Sequence, residues 1–404
     1  MHKPNFINMN KLILLLYVGA FFFTSCHKEE FNTPPRHDNP EDTSTEESVK
    51  TIKKLHLEKV PNKSSYLLNE TLILDGISIN VTYTDGTVSN LSSETIHKEW
   101  LSNFSTEKPF KGKEIIIQPI DVPAECQVSF TVDVLPLIVE NNIVVSALES
   151  AFKIIQIPEG IKSIKDEAFG NNQTLEGISF PSTLENIGAY AFYGSNLKTV
   201  DFSKSALKKL PSGTFESCMN LTQVILPKTL KEIGSNAFYG TAQLKYIQIP
   251  EGVEEIGYTA FSNSGLVTVK LPNSIRTIKR SFYKCNELKE VTTYGNNYIG
   301  NDYIGNDLER SILGESFQFC PNLETLQIPG GISRIGISVL GACKVKELII
   351  PSNVEHIEFN AFGNVTSLQK VLLLGEKKKT IENEAFPASV MESALKQNET
   401  LTQK

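Results

Sequence analysis

The sequence predicts a mainly β protein: a small N-terminal β-sandwich, then a solenoid of 23-residue coils with short strands and short helical turns. Three observations carry this. Pro158, Pro181, Pro227, Pro250 and Pro272 fall 23, 46, 23 and 22 residues apart, with Lys204 in the one vacant slot. Phe169, Phe192, Phe215, Phe238 and Phe261 keep an independent register of 23, and self-similarity at a fixed period is the signature of stacked repeats. Ahead of both, Ile77, Ile79, Val81 and Tyr83 alternate with polar residues and run into Asp85-Gly86, the pattern of a half-buried strand and a hairpin turn.

At the N-terminus, Lys11 precedes a twelve-residue apolar run, Leu12 to Phe23, followed by Thr24-Ser25-Cys26. At ~1.5 Å per residue the run is too short for a ~30 Å hydrocarbon core. Residues 1–25 therefore read as a signal peptide, with Met9 as the start that leaves a short basic region before the apolar run. Residues 26–50 are rich in Pro, Asp, Glu, Thr and Ser. Such a composition buries too little apolar surface to offset ordering entropy, so a disordered tether is expected. From 51 to 135, strands are expected at Ile52–Leu57, Ile77–Tyr83, Ile115–Ile117 and Val128–Val134, with Trp100 in the core and Cys126 unpaired.

From 136 to 391 each unit reads L-x-x-I-x-I-P-x-x-I-x-x-I-x-x-x-A-F. One copy is Leu244, Ile247, Ile249, Pro250, Val253, Ile256, Ala260 and Phe261. Proline ends the strand because it cannot donate to a ladder. Six or seven inward apolar side chains contribute ~10–15 kcal/mol, less than the ~1–2 kcal/mol per residue that ordering a whole coil costs. A lone coil fails, and only stacking stabilises it. After an interruption the register resumes at Phe317, Leu340 and Phe362 and ends near Phe386, which makes nine or ten coils and leaves 392–404 as a tail.

Several of these segments resemble known families. Phe23-Thr24-Ser25-Cys26 resembles a lipobox, with Phe where Leu is usual, and implies that Cys26 is lipidated and anchors the chain to a membrane. Lys28, Glu29 and Glu30 resemble the export signal of Bacteroidota surface lipoproteins, which implies an outer-membrane lipid anchor facing outward. Leu72-Ile73-Leu74-Asp75-Gly76 together with Ile79 to Gly86 resembles bacterial Ig-like domains. The 23-residue unit resembles the BspA-type leucine-rich repeat of bacterial surface proteins, which implies adhesion or binding of host proteins or matrix.

Binding residues must come from the variable positions. Around the central apolar residue of each strand the flanking positions are mostly small and polar, as a hydrated sheet face requires. Ile225 with Tyr246, and Ile349 with Leu372, are the exceptions. Each pair is either a contact point or else tolerated surface or buried under the terminal coil, and for Ile349/Leu372 the second account is the plainer. Between Tyr294 and Gly314 the segment Tyr298-Ile299-Gly300-Asn301-Asp302 is repeated at once as Tyr303 to Asp307. The repeat is either a binding loop or a drifted duplication. Asp302 and Asp307 lack the spacing of an EF-hand calcium site.

Composition excludes other classes. A net charge of -7 gives no basic footprint for nucleic acid. The six cysteines include no C-x-x-C pair, so no zinc cluster is expected. Cys218, Cys285, Cys320 and Cys343 each follow the Phe or Leu of their coil by three residues, where free buried thiols are expected. Only His356 lies in the repeats, and no HExxH, GxSxG or Walker motif appears. No cofactor, metal or catalytic residue is expected. The expected protein is a monomeric surface lipoprotein that binds a host or cell-surface protein. A glycan-binding accessory of a saccharide-uptake system and a structural surface component are the alternatives.

Overall fold

The computed structural model describes residues 51–401 apart from 97–99, 102–103, 120–121, 124 and 295–311. Cys26, Lys28, Glu29 and Glu30 lie outside the described residues, as do Tyr298, Asp302, Tyr303 and Asp307 of the duplicated segment.

Six strands come first: β1 (Ile52–Lys59), β2 (Ser65–Tyr66), β3 (Ser78–Tyr83), β4 (Val88–Ser92), β5 (Phe110–Ile117) and β6 (Val128–Val134). They make two three-stranded sheets, β1-β3-β4 and β2-β6-β5. Alternation sends Leu55, Ile79 and Val81 of one sheet and Ile115, Ile117, Phe130 and Val132 of the other into one core. The β3–β4 turn forms at Asp85-Gly86: Gly86 is left-handed at φ 85, and Asp85 Oδ1 accepts from Thr87 N at 2.9 Å.

Leu135 and Leu137 already belong to a second, larger core. Here β7 (Leu137–Glu140) and β8 (Ile143–Ala147) form an antiparallel hairpin. Its turn residues Asn141 and Asn142 are both left-handed, as a type I′ turn requires. β8 then pairs in parallel with Ser163–Ile164, so β7 covers the first edge of the solenoid, where bare backbone would invite pairing with another chain.

Each coil holds two strands. The L-x-x-I-x-I strands stack in parallel through Ile154–Gln156, Gly177–Ser179, Thr199–Asp201 and Gln223–Ile225. A second run takes Tyr246–Gln248, Thr268–Leu271, Glu290–Thr293 and Thr325–Leu326, and a third Glu347–Ile350 and Lys370–Leu373. The segment after the proline, with its inward Val253 and Ile256, is more than a spacer: it carries a second parallel sheet. Eight two- or three-residue strands, from Lys209–Leu210 to Thr380–Ile381, form one unbroken ladder there.

The expected helical turns are replaced by tight non-helical turns. Two residues before each closing Phe or Leu the chain is left-handed, at Glu167, Tyr190, Gly213, Asn236, Thr259, Arg280, Glu315, Ser338, Asn360 and Glu384, which marks ten coils. The closing residue then bonds sideways: Phe169 N donates to Ala191 O at 2.8 Å and Phe238 N to Ala260 O at 2.7 Å. A left-handed residue, with backbone committed to the next coil, leaves no helical ladder to build.

Behind these turns the phenylalanines stack. Successive rings from Phe169 through Phe192, Phe215, Phe238, Phe261 and Phe282 to Phe317 are 5.0 to 5.3 Å apart, centroid to centroid. Phe282 is the member the 23-residue register passes over, because its coil is two residues short. After Leu340 the column resumes with Phe362 and Phe386 at 5.6 Å.

The tail expected after Met391 is instead the greater part of a helix, α1 (Ala388–Thr400). Val390 and Ala394 join the core. Gln397 donates to Val371 O at 2.9 Å and accepts from Leu373 N at 3.2 Å. Asn398 accepts from Lys379 N at 2.8 Å and donates to Lys379 O at 2.7 Å. Two side-chain amides thus satisfy both last strands, as a further coil would have done.

Candidate functional site

Alternation fixes which side chains leave the first sheet. Val224 and Ile247 point into the core, so Ile225 and Tyr246 project outward from neighbouring coils, 41% and 53% exposed. Ile225 follows its central apolar residue and Tyr246 precedes its own, which places the two diagonally. Between their strands the ladder is interrupted, so this apolar pair sits on a seam in the sheet.

The structure adds neighbours that the sequence did not single out. Tyr294, at the end of the next strands' row, lies with its ring 4.4 Å from Lys270 Nζ. Burial raises the Tyr294 phenol above its ordinary value, a hydrogen bond with Gln248 lowers it, and nearby Tyr246 and Glu251 raise it further. Ile225, Tyr246, Gln248, Lys270 and Tyr294 therefore form one patch: two phenols, an amide and an ammonium beside an aliphatic side chain. The signal for Tyr294 was hidden because it closes its strand immediately before the irregular segment.

The second apolar pair is also real. Ile349 and Leu372 are partners in register; Leu372 is exposed and Ile349 half-buried, so the terminal coil does not cover them. On the far side of Ile349 the sheet is interrupted again. A cleft of about 710 Å³ opens there, lined by Glu324, Gln327, Lys344, Lys346, Glu347 and Ile349 among others. Two of its four charged side chains are engaged: Lys344 donates to Asn322 at 3.0 Å, and Glu347 lies 3.6 Å from Lys370.

The cysteine column is structural. Cys218, Cys285 and Cys320 are buried free thiols, donating to the carbonyls of Phe192, Phe261 and Phe282 at 2.9, 3.1 and 3.1 Å. Burial pushes the Cys218 and Cys285 thiols up to about 11. Cys343 is also free but half-buried, and burial raises it too.

Short parallel strands on two sheets, proline-terminated and backed by a phenylalanine column, define a leucine-rich-repeat scaffold with side chains on offer along its sheets. The pattern of the BspA type leucine rich repeat region matches residues 147–245, 208–310 and 304–403. The chain belongs to this BspA-type leucine-rich-repeat family. Among solved structures it is similar to a leucine-rich repeat protein from Bacteroides ovatus, at 25% identity over 59% of this chain and 73% of that one, with a TM-score of 0.40. It is also similar to the T. pallidum leucine rich repeat protein, at 25% identity over 50% and 80%, TM-score 0.34. A leucine rich cell surface protein from Faecalibacterium prausnitzii matches at 19% identity over 76% and 96%, TM-score 0.23. No curated protein matches the chain. No helix among the described residues is long and apolar enough to cross a membrane.

Proposed function

We propose that this chain is a lipid-anchored outer-membrane protein, facing outward, whose solenoid binds a protein partner without catalysis. Cys26 is the anchor, Lys28, Glu29 and Glu30 direct export, residues 26–50 are the tether, and the Ig-like sandwich of residues 51–135 is the spacer. The observation that carries the binding reading is the exposed Ile225/Tyr246 pair with Tyr294 and Lys270 beside it. Tyrosines are among the side chains that dominate protein hot spots, and here two of them stand beside an exposed aliphatic side chain. A rigid platform also limits the ordering cost of association.

Two experiments test this. Cys26→Ala should shift the chain from the membrane fraction to the soluble fraction; continued tight membrane association sinks the anchor. For the binding face, crosslinking on intact cells should retrieve a protein partner with the wild type and lose it with Ile225→Asp/Tyr246→Ala, while Thr199→Ala keeps it. A partner retained at full yield by the double variant removes the patch from the function.

A further inference from the structure

A second surface lies on the turn side of the coils, where large side chains gather in successive coils. Three residues before the closing Phe, the first four coils place Asp166, Ala189, Ser212 and Ser235; the fifth places Tyr258, 50% exposed. Two residues before it, the left-handed position varies from coil to coil, with Glu, Asn, Ser, Thr, Gly and Tyr among its occupants, and one coil places Arg280 there. Two residues after it, Asn171, Gly194, Ser217, Gly240 and Asn263 give way to Lys284 and then Phe319. Phe319 is left-handed at φ 56 and 55% exposed. A bulky aromatic in that conformation is strained, and an exposed one recovers little from packing.

These side chains meet across three successive coils. The Arg280 guanidinium lies 4.2 Å from the Tyr283 ring centroid and donates to the Tyr258 hydroxyl at 2.9 Å. Tyr283 meets Phe319 edge to face at 5.4 Å. Glu315 stands 3.8 Å from Arg280 Nη1, and Lys284 Nζ is 5.4 Å from the Tyr283 ring. Arg280 Nε is buried without an acceptor. The result is a ledge running along the stacking direction, with the exposed Tyr258 and Phe319 rings at its ends and the Arg280 guanidinium on the half-buried Tyr283 between them.

We propose that this ledge binds a carboxylated carbohydrate. Exposed aromatic faces with a polar handle suit the apolar faces of sugar rings. Arg280 is held in place by Tyr258 and Glu315 through Nη1, and Nη2 is the donor it offers to a carboxylate. Arg280 faces Glu315, and Lys284 adds a second cation beside the Tyr283 ring, so the local charge is positive and complements an anionic ligand. Rings on coils ~4.8 Å apart form a run that follows a linear saccharide.

The test uses the full chain, purified in detergent, on an array of uronate-containing oligosaccharides beside their carboxyl-reduced, neutral counterparts. Wild type should bind the uronates, lose at least tenfold on the reduced forms, and weaken with salt. Phe319→Asn and Arg280→Asn install the residue type that other coils carry at the same left-handed positions, so each should melt at or above the wild-type temperature. Each should bind at least tenfold more weakly. Arg280→Lys, which keeps charge but not the planar fork, should fall between. Ile225→Asp/Tyr246→Ala should leave saccharide binding intact, which separates this surface from the one proposed for protein. Equal binding to reduced and native saccharides, affinity unchanged in both asparagine variants, no binding to any uronate, or loss of a protein partner on mutating the ledge would each overturn the proposal.

Discussion

At the scale of single residues, the backs of the coils are built from groups whose value lies in being sealed. The Cys218 and Cys285 thiols donate to the carbonyl of the preceding coil's phenylalanine, and Ser195 and Ser264 lie 3.5 and 3.4 Å from the sulfurs. Alkylation with iodoacetamide at pH 8 should therefore spare Cys218, Cys285 and Cys320 in the native chain and label the half-buried Cys343 first. Rapid labelling of all four would mean that the coils open locally. Linkage gives a second expectation. The two thiols ionise at about 11 in the fold against an ordinary 9.0, so the unfolded chain releases these protons first as pH rises. Their contribution is complete below about pH 9 and is lost between 9 and 11. Urea unfolding should show wild type losing stability in that window relative to Cys218→Ser/Cys285→Ser; parallel curves would contradict it.

At the scale of elements, the C-terminal helix acts through two adjacent amides. Asn398 is buried and bonds both backbone groups of Lys379, so Asn398→Ala should cost about 1–3 kcal/mol, read from the urea midpoint. Ending the chain at Phe386 should do more, exposing two strand edges and the apolar seat of Val390 and Ala394. Light scattering should then show self-association; a monodisperse monomer would show that the helix is not the cap. Neither amide was legible in the sequence, where Gln397 and Asn398 read as polar tail. The coils were legible because ladders repeat: prolines, phenylalanines and inward aliphatics each keep the register. What breaks the register was not. Phe282 belongs to a shortened coil, and the second sheet uses strands too short to show a period. Ile225 and Tyr246 could be read because they violate an alternation within their own strands. Tyr258, Arg280 and Phe319 could not, because they sit at different offsets in three coils and meet only through the turn geometry.

At the scale of the whole molecule, the two sheets are interrupted at different places. The second sheet breaks between Asn186–Ile187 and Lys209–Leu210, where the first runs unbroken through Gly177–Ser179, Thr199–Asp201 and Gln223–Ile225. The first breaks after Gln223–Ile225 and again after Thr325–Leu326, where the second is continuous. No junction among the described coils loses both ladders, and in a solenoid, where each coil contacts only its neighbours, that staggering decides whether the array unfolds as one. Across the seam at Ile225 and Tyr246 the ladder is carried by Glu232–Ile233, paired with Lys209–Leu210 before it and Glu255–Ile256 after it. Ile278, by contrast, lies where both sheets are intact. Both isoleucines are fully buried, so alanine at either should remove a similar ~2–5 kcal/mol. The consequences should differ. Ile278→Ala should lower the midpoint of a single transition, whereas Ile233→Ala weakens the one sheet ladder that crosses its seam beside the turn bonds of Asn236, Phe238 and Gly240, and should split or broaden the transition, with hydrogen exchange faster in the coils on one side. If both variants unfold with the same steepness, coupling across the seam runs through the turn bonds and the phenylalanine column and not through the staggered sheets.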